Sequence, residues 1–151
     1  MITEALLAFA HIMAFLMLAT FMTSETALCR KEWISPAIVH RLVRLNLLTL
    51  VSGVIVLATG LARTWWGVKG TAWYWSQPLL HAKVTLLVMM LALALAAGRH
   101  YRRWRAALDA GAGLPQEGEL RAARRLEMWA AHLMIIVVLL AVCLARGVGT
   151  R

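Results

Sequence analysis

Four long apolar runs separated by short polar connections dominate the chain, near residues 4–28, 43–63, 79–98 and 126–146. Each is long enough to cross a hydrocarbon core, which takes about 20 residues as helix. Periodicity alone does not separate such runs from buried strands, but their length does. Lipid offers backbone groups no hydrogen-bond partner, so each run is expected to satisfy its own as an α-helix. The pattern predicts an all-α integral membrane four-helix bundle, with residues 1–151 forming one transmembrane domain.

The connections read as clearly as the runs. RKEWISPAIVHR (30–41) is short and basic, with a Ser-Pro stop. TWWGVKGTAWYWSQP (64–78) is aromatic, holds two glycines and closes on a proline. The third, 99–125, is the longest; its GAGLP centre marks a turn, and its flanks RHYRRWRAAL and EGELRAARRLE read as helical extensions beyond the bilayer. The N-terminal MITEALLAF has no basic stretch and carries Glu4, so the first run is expected to be a retained helix and not a cleaved signal.

Composition supports the membrane reading. Hydrophobic residues make up 62% of the chain and charged residues 15%, with a mean hydropathy of +0.72. Soluble domains hold roughly 45–50% apolar residues. The net charge of +9 would suit a nucleic-acid partner, but it comes in clusters between apolar runs, where basic residues set topology. Eleven of the sixteen Lys and Arg residues lie in or beside the first and third connections. The positive-inside rule then puts those loops in the cytoplasm of a bacterial inner membrane, with both termini and the aromatic connection outside. Cys29 and Cys143 have neither metal-ligand spacing nor a disulfide framework.

Ionisable groups inside spans cost about 2.5–3.5 kcal/mol each on insertion scales, so each asks for a reason. His11 and Glu25 lie in the first run, Lys83 in the third and His132 in the fourth; His81, Arg63 and Arg146 sit near span ends. The stripes expected to face the interior are His11, Phe15, Leu18, Met22 and Glu25 in the first run, and Asn46, Gly53 and Gly60 in the second. The third contributes Lys83, Met90, Ala94 and Ala97; the fourth Arg125, Met128, His132, Leu139, Cys143 and Arg146. Each residue also has a plainer reading. Lys83 can snorkel, His81 can be interfacial, His11 and His132 can bond neighbouring helices, and Glu25 can pair with Arg30 or Arg44.

The chemical reading is a cofactor site. Imidazole is a good axial ligand for haem iron, and helical bundles build such sites from facing side chains. By helical rise His11 lies about 10 Å, and His81 and Lys83 about 3–6 Å, below one membrane face. These depths suit a single site, with Arg63, Lys69 or Arg146 as cationic partners for haem propionates. His132, about 10 Å from the other face, belongs to a different contact or a second site.

ATGLAR (58–63), the GVKG and YWSQPLLHAK stretches within 67–83 and ARGVG (145–149) resemble an uncharacterised family of small bacterial four-helix inner-membrane proteins. More distantly, His11 and Leu80-His81-Ala82-Lys83 resemble the HemJ-type membrane protoporphyrinogen oxidase. That resemblance implies b-type haem held by His11 and a deprotonated Lys83.

Three functions remain open on the sequence. One is a haem b protein that transfers electrons or oxidises a porphyrin-like or quinone-type substrate. Another is a copper-binding or transport component using His11, His81, His132 and Met22 or Met90, since thioethers select Cu(I). The third is a non-catalytic partner subunit, in a homo-oligomer or beside another membrane protein.

Overall fold

The computed structural model describes residues 2–67 and 70–148. Every regular element among them is a helix: α1 (Ile2–Leu28), α2 (Pro36–Trp66), α3 (Thr71–Trp75), α4 (Pro78–Asp109) and α5 (Glu117–Ala145). The four long helices match the four predicted spans, α5 ending one residue short of the fourth at Ala145, and the flanks of the third connection are indeed continuous with α4 and α5. Two local features differ from expectation. Ser35-Pro36 starts a helix: Ser35 Oγ accepts the Ile38 N–H at 3.3 Å and Pro36 stands in the first turn, where its missing N–H costs nothing. The aromatic connection also coils into the single turn α3.

The seams follow the spacing of knobs-into-holes packing. Buried positions alternate by three and four residues along α2 (Val39, Leu42, Asn46, Thr49, Gly53, Val56) and α4 (Leu87, Met90, Ala94, Ala97, Tyr101, Trp104). A repeat averaging 3.5 residues keeps each seam facing its neighbour. α1 packs along α2, α2 against α4 and α4 along α5, while α1 and α5 meet over a much smaller area.

The seam of α5 overturns an expectation. Its buried face is Leu120, Ala123, Glu127, Ala130, Val137 and Leu144. Met128, His132 and Leu139, from the stripe expected to face inward, are exposed on the bundle's outside, as are Arg125 and Arg146. Small residues decide the matter: Ala123 and Ala130 allow close helix approach, and the polar residues chosen for the stripe do not.

Only 17–28% of each helix's most apolar stretch is buried inside the bundle. Leu6, Phe9, Leu47, Val54, Ile135 and Leu139 all point outward, each more than half exposed. Apolar surface on that scale is stable only against lipid or another apolar partner.

Candidate functional site

At the end of the bundle that carries α3, the helices part around a cavity of about 590 Å³. Its walls are apolar, with Phe15, Val56, Leu57, Leu80 and Leu87 among them, and its polar lining includes Glu4, His11, Arg63 and Lys83. Trp73 and Tyr74 of α3 stand at its rim, their rings edge to face at 5.0 Å. Ile12 on α1 and Val142 on α5 line the cavity while more than half exposed, so its side opens towards lipid between these two loosely packed neighbours.

His11 is positioned by α2. Its Nδ1 lies 2.9 Å from Thr59 Oγ1, and that hydroxyl already donates to the Ile55 carbonyl at 2.6 Å. Thr59 therefore has only a lone pair to offer, which assigns the proton to His11 Nδ1 and leaves the Nε2 lone pair free of that bond. Gly60 makes room for the ring, since a Cβ there would stand 3.1 Å from His11 Cε1. Lys83 and Arg63 are the cationic neighbours of His11. Both are half-buried.

The structure thus brings His11, Lys83 and Arg63 to one cavity and leaves the other predicted residues outside it. His81 is exposed, its Nε2 3.0 Å from the Trp75 carbonyl and its ring beside the Trp75 indole. His132 is on the outer face of α5, where Nδ1 bonds the Met128 carbonyl at 2.6 Å within its own helix. Arg146, exposed at the end of α5, does not line the cavity, and Lys69 lies outside the described residues. The histidines of the copper set are therefore scattered, and Met22 and Met90 pack in the apolar core with Leu18, Val56 and Leu87.

A second polar cluster occupies the opposite end. Glu25 is fully buried, and it pairs with neither Arg30 nor Arg44. Its carboxylate accepts from the Thr49 hydroxyl and, at 3.1 Å, from Asn46 Nδ2, which also donates to the Ala94 carbonyl at 2.9 Å. Glu127 on α5 is equally buried beside it, with Tyr101 close by. Sequence reasoning passed over Glu127 because it lies among the basic residues of the α5 flank. The signal was its register, four residues after Ala123 and three before Ala130, an acid on a seam of small residues.

Four long apolar helices, a lateral cavity and buried polar clusters define a small polytopic membrane protein. The chain belongs to the family described as predicted membrane protein DUF2214, whose profile matches residues 3–149. No curated protein and no solved structure matches it.

Proposed function

We propose that this protein is a redox protein of the bacterial inner membrane that holds a b-type haem in the cavity between α1, α2, α4 and α5. The observation that carries this reading is the contact that His11, a residue of the cavity wall, makes with Thr59 through Nδ1. Thr59 takes the Nδ1 proton, so Nε2 presents the lone pair that iron requires, and the bond behind it fixes the ring as second-shell partners of ligating histidines do. Lys83, as a neutral amine, would help to hold the group, and Arg63 would pair with its acidic side chains. The apolar walls suit a porphyrin, and a volume of about 590 Å³ lies in the range of small-molecule sites, about 300–1,000 Å³. The sequence resemblance to the protoporphyrinogen oxidase singles out the same two residues, His11 and Lys83.

Bound haem would supply one-electron chemistry at this depth of the membrane. The protein's own part is to orient the ring through His11, neutralise acidic groups through Arg63 and exclude water with apolar walls. The opening between α1 and α5 suits exchange of electrons with a lipid-soluble partner, a quinone or a porphyrin-like substrate. The charge bias of the loops favours an orientation with the α3 end outside and the basic loops in the cytoplasm.

The test is an absorption spectrum of the protein purified after expression with ample haem. A Soret band that sharpens on dithionite reduction and is lost in His11→Ala is expected. A colourless wild-type protein that fails to take up added haemin would refute the reading.

A further inference from the structure

The cluster at the other end of the bundle supports an inference that does not depend on haem. Glu25 and Glu127 come from α1 and α5 and face one another within hydrogen-bonding reach. Both are 0% exposed. Among the described residues neither forms a salt bridge; the ion pairs are Lys31–Glu117 and His40–Asp109, both at the surface. Two carboxylates held together in a low-dielectric interior do not both stay charged without positive charge between them.

The surrounding groups tell which positive charge fits. They are Asn46 and Thr49 from α2, Tyr101 and Arg102 from α4, Arg124 from α5, and Cys29 after α1. The Asn46 amide is not free to flip, because the Ala94 carbonyl 2.9 Å away can face only Nδ2. Asn46 thus turns a donor towards Glu25, as Thr49 does. A cation site would present the amide oxygen instead. Glu25 receives the two donors that suit a carboxylate, while neither oxygen of Glu127 forms such a bond, the Tyr101 hydroxyl alone standing close to it. Asn46 Oδ1 is also buried and unpartnered, and the one uncommitted side-chain donor beside these three acceptors is the Tyr101 hydroxyl, so the cluster holds more acceptors than donors and has room for one more proton.

We propose that Glu25 and Glu127 form an intramembrane proton-binding site, with Glu127 carrying the proton and donating it to the Glu25 carboxylate. Binding forms the O–H bond on Glu127 and removes one negative charge from the cluster; release reverses both. Such a site takes its proton from the α1–α2 and α4–α5 loop end, the end nearer to both glutamates.

Infrared spectra of the protein in lipid nanodiscs at neutral pH test this. The other five acids are Glu4, Glu32, Asp109, Glu117 and Glu119, and all but the half-buried Glu4 are exposed. The wild type is expected to show a carboxylic-acid C=O band that shifts after equilibration in D2O. The band should be lost in Glu127→Gln, shifted in Glu25→Gln and unchanged in Glu4→Gln. Absence of the band from the wild type overturns the proposal whether or not the variants fold. So does a stoichiometric metal in the wild type that Glu127→Gln no longer binds, since the pair would then be a cation site.

Discussion

Thr59 accepts the Nδ1 proton of His11 across the α1–α2 seam at 2.9 Å, because its own hydroxyl proton is held by the Ile55 carbonyl at 2.6 Å. One threonine on α2 thereby decides which nitrogen of a histidine on α1 is available. Thr59→Val keeps the branched shape and removes the acceptor. Loss of such a partner typically weakens ligation about 10–100-fold, so haemin affinity should fall on that scale, while Thr59→Ser stays near wild type. Titration of haemin into the apoprotein, followed by absorbance, measures it.

Gly60 serves the same ring by leaving space. An alanine Cβ there would meet His11 Cε1 at 3.1 Å, close enough to displace the ring by a few tenths of an ångström. The helix itself gains up to about 1 kcal/mol from the exchange. Gly60→Ala should therefore hold or raise the thermal midpoint while broadening the Soret band or lowering its yield. A destabilised protein with a normal spectrum would contradict this account.

Hydrophobic run length made most of the fold legible, because membrane thickness leaves few alternatives to helices of this size. The inward faces of α1, α2 and α4 were also readable, since polar and small residues coincide on them: Glu25 follows Met22, and Gly53 lies one heptad after Asn46. On α5 the two signals diverge. Polarity pointed to His132, which satisfies its Nδ1 within its own helix, whereas alanine spacing pointed to Glu127. The cavity was legible as His11 with Lys83 at matching depth. The Thr59 bond and the Asn46–Glu25 contact depend on how two helices are rotated against each other, which no single span encodes.

Gly98 on α4 lies against the Asn46 side chain of α2. A Cβ at this position would stand 1.9 Å from Asn46 Oδ1, and Asn46 is anchored by Glu25 and Ala94. Gly98→Ala must therefore spread the helices or break the cluster, and overpacking of this kind costs about 1–3 kcal/mol. At Gly53 the added atom meets the Leu91 methyls, the nearest at 2.2 Å, and a leucine can change rotamer. Thermal unfolding in detergent should rank Gly98→Ala well below Gly53→Ala.

Lys31 and Glu117 join the two basic loops at 3.0 Å, both exposed. The Lys31 hydrogen bond, then the charges of Lys31 and Arg121, hold the Glu117 carboxyl below its usual range. Any stability from this is present above the ordinary carboxylate pKa and is lost as pH falls through the lowered value. Solvent screening leaves little to lose. Lys31→Ala should keep the wild-type thermal midpoint at neutral pH and show the same decline on acidification.

Cys29 lies just beyond α1, only 1% exposed, with its thiol directed at the Leu120 carbonyl 3.9 Å away. Burial pushes the thiol up to about 11, so at neutral pH almost none is the reactive thiolate. Tyr101, Trp104 and Ala123 pack in the same cluster and close the approach. In a Cys143→Ser background, which leaves Cys29 as the one thiol, a maleimide should fail to label the native protein at neutral pH and label it fully after unfolding in dodecyl sulfate. The rate also reports on the Glu25–Glu127 end of the bundle. Rapid native labelling would mean that the 29–35 loop lifts readily, and the buried cluster beneath it would then be open to water.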